Sequence, residues 1–437
     1  MKFRLVLFVL SFVLSLAIPA DRLVNNCSDA WIAASNSQAL PAGLGVNIHF
    51  TDPQPGEIKM IADAGFRWVR MDFKWDMTEK ERGRYDFTSY DRLIAALEQR
   101  KIRALFILDY GNPLYDNGAP PRTKPSQQAF ARWATAAARH FAGHGVIWEI
   151  YNEPNIKIFW PPRPNVDEYV ALALAVGRAF RAELPNEKLI GPATSGIDFP
   201  FLESCFKAGL LEYWSAVSVH PYRQSDPETA ANDYCQLRKL IAAYRTARGE
   251  RVFADEGIPI ISSEWGYSSV WRGMDEQKQS ALLAREILTN IADGIPISIW
   301  YDWRDDGLDA SDPEHHFGLV HNAYHQERDQ VYEPKAAYLA AKTVSAFFDE
   351  YEFEKRLLVG SSDDYVLIFR KGADVRIAAW TTLLAPHRLT IPLAPGQYAM
   401  TSYNGQTVGS ITAGQTGLAI EISPAPLYLT RVQHADR

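Results

Sequence analysis

Past residue 40 the chain alternates between two hydrophobic patterns. Short runs rich in β-branched and aromatic residues follow turn residues at Gly45–Phe50, Phe66–Phe73, Arg103–Gly111, Val146–Asn155, Lys188–Gly196, Ala216–Tyr222, Pro259–Gly266 and Pro296–Trp303. These read as strands. Between most of them the period changes to that of a helix, most clearly at Phe87–Lys101, Ser126–Phe141, Val166–Leu184, Glu228–Arg245 and Asp275–Ala292. In Tyr90–Leu97, for example, Leu93, Ile94 and Leu97 fall on one helix face, while Asp91, Arg92 and Glu98 fall on the other. The strand starts are spaced about 36 residues apart, the length of a βαβ unit. Eight such units over some 250 residues predict an α/β fold, a (β/α)8 TIM barrel. A doubly wound sheet is the competing architecture, but it wants a Gly-rich phosphate turn after its first strand. Here Gly43-Leu44-Gly45 comes before that strand.

Pro334–Phe353 predicts one more helix, with Ala337, Leu339, Ala340, Val344, Phe347 and Phe348 on its apolar side. After Glu354 helices stop. Leu357–Val359, Tyr365–Arg370, Val375–Trp380, Leu389–Ile391, Ala399–Tyr403 and Leu418–Ile422 read as short strands between Gly, Pro, Asp and Asn turns. That is the pattern of a small antiparallel β-sandwich. Residues 21–350 are therefore assigned to the barrel and 351–437 to the sandwich.

The first 20 residues read as an address. Lys2 and Arg4 precede an apolar run of 14 residues, Leu5 to Ile18, which ends near the small residues Ala17 and Ala20. This is the layout of a secretory signal peptide, and the run is short for a membrane-spanning helix, which needs about 20 residues. Export to a periplasm or beyond is expected, with an uncleaved N-terminal anchor as the alternative. An oxidising compartment would permit one disulfide, Cys205 with Cys235 leaving Cys27 odd, or all three cysteines are free thiols.

Composition narrows the function classes. The 437 residues are 47% hydrophobic and 22% charged with a net charge of −7, ordinary for a globular protein. No basic excess is available to neutralise a phosphate backbone, which argues against nucleic acid as a partner. Twelve Trp, 20 Tyr and 21 Phe are many, and flat aromatic faces are what apolar sugar faces stack on. The cysteines match no zinc pattern. His315-His316 has no third ligand at fitting spacing, so no metal and no cofactor are assigned. A monomer is expected.

Catalytic residues of a barrel project from the carboxyl ends of its strands. Those ends deliver His49; Arg70 and Asp72; Asp109 and Tyr110; Asn152 and Glu153; Thr194 and Ser195; His220 and Tyr222; Glu264 and Trp265; and Trp300, Asp302 and Trp303. The set is rich in carboxylates, amides and aromatics. Glycosidic cleavage needs an acid to protonate the leaving oxygen and a second carboxylate to attack the anomeric carbon or activate water. Glu153 and Glu264 end the fourth and seventh strands, which face each other across the barrel mouth.

The run Trp148-Glu149-Ile150-Tyr151-Asn152-Glu153-Pro154-Asn155 resembles the acid/base signature of clan A glycoside hydrolases, and Ile261-Ser262-Ser263-Glu264-Trp265-Gly266 looks like the clan's nucleophile strand. Arg70, His220-Pro221-Tyr222 and Trp300 match further positions, the last being a strand-eight Trp that often precedes a cis peptide. Within the clan the chain resembles family 39, especially bacterial exopolysaccharide glycosidases associated with biofilms. The spacing of the two Glu residues, the signal segment, the loop Asp302-Trp303-Arg304-Asp305-Asp306 and the trailing sandwich carry that likeness.

The resemblance implies Glu153 as acid/base, which must carry its proton near neutrality in partly buried surroundings beside Tyr151 and Trp160. It implies Glu264 as the nucleophile, held ionised by the Tyr222 hydroxyl and the charge of Arg70. Asn152 would meet the sugar 2-hydroxyl, with His49, Arg70, Trp160, His220, Tyr222, Trp300 and Asp302 also binding substrate. Glu149 reads as a buried charge paired with an Arg. Trp68, Trp75, Trp133, Trp148 and Trp380 read as core; Trp160, Trp265, Trp271, Trp300 and Trp303 as sugar-stacking faces, with the stiff Trp160-Pro161-Pro162-Arg163-Pro164 loop walling the acceptor side. An endo-acting exopolysaccharide glycosidase is the expectation. The alternatives are a β-xylosidase-like exo-enzyme, a transglycosylase or a carbohydrate-binding protein without activity. A metal-dependent amidohydrolase would want His-x-His where strand one has Asn47-Ile48-His49.

Overall fold

The computed structural model describes residues 42–246 and 257–432; the predicted signal segment and Cys27 lie outside the described residues. All eight predicted strands form. β1 (Leu44–Asn47), β2 (Trp68–Lys74), β3 (Arg103–Asp109), β4 (Ile147–Ile150), β5 (Lys188–Ser195), β6 (Ala216–His220), β7 (Ile260–Trp265) and β8 (Ser298–Trp300) pair in parallel in that order. The barrel closes where β1 meets β8 at Leu44–Ser298, Gly45–Ile299 and Val46–Trp300. Gly45 is required there, because a Cβ at that position would stand 2.2 Å from Ile299 Cδ1. Inside the barrel Trp68, Leu105, Ile190, Ala216, Ile261, Ile297 and Ile299 fill one apolar plug, so the strands carry hydrophobic residues on both faces, as buried parallel strands must.

Helices cover the outside: α1 (Glu57–Asp63), α2 (Trp75–Thr78), α3 (Thr88–Glu98), α4 (Lys124–His140), α5 (Val166–Glu183), α6 (Phe199–Lys207), α7 (Ala230–Thr246), α8 (Glu276–Ala292) and α9 (Ala336–Phe347). Local chemistry sets several starts. Thr123 accepts from Ser126 N, Asn165 from the amides of Asp167 and Glu168, Asp198 from Phe201 N, and Asp275 from Lys278 N, each satisfying an amide that has no intrahelical partner. The helices α1, α2 and α6 escape sequence periodicity because two turns or fewer, or a start at Phe199-Pro200, repeat too little to show a face. Among the described residues no helix is long and apolar enough to cross a membrane.

A hairpin of β9 (Val320–Tyr324) and β10 (Tyr332–Pro334) follows β8. The predicted helix at 334–353 is shorter, because the chain turns after Phe347 and enters β11 (Glu352–Arg356). β12 (Asp364–Lys371), β13 (Asp374–Thr381), β14 (His387–Ile391), β15 (Gly396–Ser402), β16 (Thr407–Ala413), β17 (Leu418–Ile422) and β18 (Leu427–Arg431) complete the sandwich. One sheet runs β11-β12-β13-β18-β15-β16 and the other β14-β17. The expected strand Leu357–Val359 does not form. β16 and β18 were not expected: β16 is an edge strand, largely exposed and interrupted by Gly409, so it shows no alternation.

The period of two in β12 and β13 welds sandwich to barrel. Val366, Ile368, Ile377 and Ala379 point into the sandwich core, while Leu367, Phe369, Ala378 and Trp380 join the core of the barrel. Phe348, just past α9, packs tilted against Phe369 at 4.3 Å and edge-on against Tyr428 at 5.2 Å between ring centres. Trp380 is core, as read from the sequence; its indole donates to Glu228 Oε1 at 2.6 Å, and that carboxylate also takes both branches of Arg285 at 2.7 Å. The expected pairing of Cys205 with Cys235 does not occur. Cys205 is a free thiol buried on α6, and Cys235 is disulfide-bonded, so the two are not joined to each other.

Candidate active site

Arg70, on β2 and 1% exposed, sits at the centre of the carboxyl end of the barrel. Its Nε donates to Glu149 Oε2 at 2.8 Å, and its Nη1 to Glu264 Oε2 at 2.5 Å and Asn47 Oδ1 at 3.3 Å. Its Nη2 donates to Asn152 Oδ1 at 2.8 Å and stands 3.2 Å from His220 Nε2. A buried guanidinium needs this many acceptors, because each unmet N–H would cost a desolvated donor. Glu149 is thus the buried charge paired with an Arg that the sequence suggested. Asn152, with its oxygen turned to Arg70, keeps its NH2 end for a ligand.

Arg70 also fixes a tautomer. A guanidinium can only donate, so His220 Nε2 accepts and Nδ1 carries the proton. That Nδ1 stands 2.9 Å from Glu153 Oε1 and donates to it. Glu264 has a second donor in the Tyr222 hydroxyl at 2.9 Å. Burial pushes the Glu264 carboxyl up, but the charge of Arg70 and the bonds from Tyr222 and Arg70 outweigh it and hold the group below the ordinary Glu range. The Tyr222 hydroxyl is driven the other way, by burial and by the Glu264 charge, and stays a donor. One carboxylate oxygen of Glu153 lies within 4.8 Å of one of Glu264. Two carboxyls that near, one beside a His donor and one clamped by Arg and Tyr, can act together on one atom.

The backbone that presents Glu153 is strained. Tyr151 (φ +66°), Glu153 (φ +43°) and Ala193 on the neighbouring β5 (φ +53°) all adopt left-handed conformations. Such residues cost on the order of 1–3 kcal/mol each and persist where surroundings over-determine them. Here Glu153 N is bonded to Ala193 O at 3.0 Å, and Asn155 ties the loop to β5 through Ser195 N at 2.9 Å and Ser195 O at 3.0 Å.

Residues 42–306 match the family model described as cellulase (glycosyl hydrolase family 5). The chain belongs to that family. It is a clan A glycoside hydrolase, and the solved structures similar to it include members of family 39. A family 39 glycoside hydrolase from Bacteroides cellulosilyticus WH2 superposes with a TM-score of 0.75 at 24% identity, covering 90% of this chain and 81% of that one. A monomeric β-xylosidase from Caulobacter crescentus CB15 gives 0.65 at 17%, covering 92% and 98%. A family 30 endoxylanase from Clostridium papyrosolvens C71 gives 0.63 at 11%, covering 91% and 98%. No curated protein matches the chain.

In this glycoside hydrolase the structure redistributes several roles read from the sequence. Arg70 and His220 are 1% and 0% exposed; they position the carboxylates and do not reach the cleft. Trp160 is not a sugar-stacking face. It is fully buried against Tyr151 and Tyr169, and its indole donates to Glu168 Oε2 at 2.8 Å. The stiff proline loop after it therefore anchors a core residue. Trp265 and Trp303 are buried as well, the latter donating to Glu57 Oε1 at 3.0 Å. Trp300 is buried, its ring 6.3 Å from that of Tyr267, and donates to Phe317 O at 3.3 Å. The part-exposed aromatic at this strand end is Tyr301, and the cis peptide falls one residue later than expected, at Tyr301–Asp302. Of the five Trp residues proposed to stack, only Trp271 is partly exposed. The five assigned to the core, Trp68, Trp75, Trp133, Trp148 and Trp380, are all buried.

His49 is exposed, and its Nε2 stands 3.5 Å from Oδ2 of Asp302, which is buried. Burial raises Asp302 to about 7, with Asp306 and Asp305 adding to it against the opposing His49. Burial pulls His49 down, but the carboxylate of Asp302 3.5 Å away, then the charges of Asp306 and Asp72, leave its imidazole above the ordinary value. Asp109 is also pushed far up, by burial and then by the charge and hydrogen bond of Asp72. Sequence reasoning passed over Asn47, which joins Arg70 to His49, and Tyr301 and Asp306. Asn47 lies in Asn47-Ile48-His49, Tyr301 in the eighth strand run Pro296–Trp303 and Asp306 in the loop after it, so the signal was position at a strand end rather than residue type.

Proposed function

We propose that this glycoside hydrolase retains anomeric configuration, cleaving O-glycosidic bonds of a poly- or oligosaccharide by double displacement. The observation that carries the reading is the separation of Glu153 and Glu264, with oxygens within 4.8 Å. Retaining pairs stand about 5–5.5 Å apart, whereas inverting pairs leave about 6.5–9.5 Å for a water between them. Glu264, ionised under Arg70 and Tyr222, attacks the anomeric carbon as the bond to the leaving oxygen breaks, and Glu153 gives that oxygen its proton. Glu153 then takes a proton from water, whose oxygen attacks the same carbon and releases Glu264. The His220 Nδ1–H bond orients Glu153 through both steps. Asn152, held by Arg70, meets the sugar 2-hydroxyl, where bonds strengthen at the transition state.

Endo action on an exopolysaccharide is the finer reading, for an exported enzyme with the N-terminal segment as its signal or anchor and with a place in biofilm turnover. Its support is a part-exposed shelf on the Glu153 side: Tyr110 and Phe159 stack at 5.6 Å, and Ile158 beside them is 77% exposed. Such a shelf suits sugar rings beyond the cleaved bond. The exo-acting β-xylosidase reading draws on the similar Caulobacter structure. Monomeric action draws on the same comparison. The test is incubation of the mature protein with β-xylosides, iduronides and several exopolysaccharides, reading product lengths and following the first product by proton NMR. Retention is expected. An inverted first product would rule out double displacement, and release of single sugars alone would replace endo with exo action.

A further inference from the structure

The carboxyl ends of β1 and β8, neighbours in the barrel, bring together three groups that the proposed reaction does not use. One ligating atom each from His49, Asp302 and Asp306 lies within 4.8 Å of the others. Asp302 is 1% exposed, and neither of its carboxylate oxygens has a hydrogen-bond partner. Its Oδ2 is aimed at His49 Nε2, 3.5 Å away, on an exposed imidazole. A buried carboxyl with open lone pairs is a costly arrangement that calls for a positive partner.

The Glu153, His220 and Glu264 trio has the same spacing but is already answered, because Arg70 is bonded to Glu264 and stands against His220. Nothing equivalent serves the β8 cluster. Among the described residues no Lys or Arg pairs with Asp302 or Asp306, and the nearby Lys335 is engaged by Asp305 at 2.9 Å. A proton on His49 would answer one carboxylate oxygen and leave the other oxygen of buried Asp302 unmet.

We propose that His49, Asp302 and Asp306 form a binding site for one divalent transition-metal cation at the edge of the catalytic cleft. One imidazole nitrogen with two carboxylates is a donor set for zinc or manganese rather than for calcium, which prefers an all-oxygen shell. Three protein ligands leave coordination positions open on the exposed side, where water or hydroxyls of the bound glycan complete the shell.

The full-length protein, stripped with chelator, is titrated with Zn2+ and separately with Mn2+ by calorimetry. One equivalent should bind. His49→Ala and Asp306→Asn, both at exposed side chains that do not threaten folding, should each weaken binding at least about tenfold, as should Asp302→Asn. Glu264→Gln should bind like the parent. Cobalt loading of the parent should give a visible absorption band that Asp306→Asn loses. No binding by the parent, binding unchanged in these three variants, or binding lost in Glu264→Gln would overturn the proposal. None of these results bears on the roles of Glu153 and Glu264.

Discussion

Each member of the carboxylate pair has a distinct signature when removed. Glu153→Gln keeps the His220 contact but has no proton to give, and general acid–base help of this kind is worth about 10²–10⁴-fold; turnover of a substrate with a poor leaving group should fall by that order. Glu264→Ala abolishes the nucleophile, and azide, entering the vacated space, should restore activity and yield the opposite anomer. Normal turnover in either variant would end the assignment. Glu264 is held below the ordinary Glu range, so the acidic limb of kcat/KM should lie below that range, activity being lost only as pH falls through the depressed value. Tyr222→Phe removes one of the bonds that depress it and should move that limb upward. An unmoved limb would show that the Tyr222 hydroxyl does not tune Glu264.

At the scale of an element, α8 carries a buried acid that no cation fully answers. Glu286 is 1% exposed, Oε2 has no hydrogen-bond partner, and burial drives its carboxyl far above the ordinary value against the weaker pull of Arg223. A carboxyl whose folded-state value is raised favours the folded protein at acidic pH, and that contribution is lost as pH rises from the unfolded-state value through the folded one. Glu286→Gln keeps the shape without the titration. The difference in Tm between pH 5 and pH 8 should therefore shrink in the variant, mostly through a higher Tm at pH 8. An unchanged difference would place the pH dependence elsewhere. Elements also explain which predictions missed. Six long helices and the eight barrel strands repeat their period often enough to be read, whereas α1, α2 and α6 do not, and β16 offers no buried face to alternate with.

For the whole molecule, the sandwich is a structural partner of the barrel. Leu367, Phe369, Trp380 and Tyr428 are buried in the barrel's core cluster. At about 1.5–3 kcal/mol for each large side chain removed from water, they sum to the order of 10 kcal/mol, comparable to the whole stability of a domain. A chain ending at residue 350 should be poorly soluble or unfold well below the intact protein, although the catalytic residues are all present. Equal Tm and solubility for the two chains would refute this account of the interface. Trp380→Phe, which leaves Glu228 paired only to Arg285, should lower Tm modestly by the same reasoning.

The barrel, the sandwich and the pairing of Glu153 with Glu264 were legible in the sequence, because strand and helix periods, and the residues at strand ends, are properties of short stretches. What the tertiary structure decided is which groups share a neighbourhood. Arg70 gathers Glu149, Asn152, His220 and Glu264 from three other strand ends and so sets a tautomer and a charge. Trp160 and Trp265 end up in the core and Tyr301 near the surface, although all three lie at or past strand ends. Burial of a side chain depends on what packs over it from elsewhere in the chain, and distance between charges depends on barrel closure. Neither quantity is written in local order.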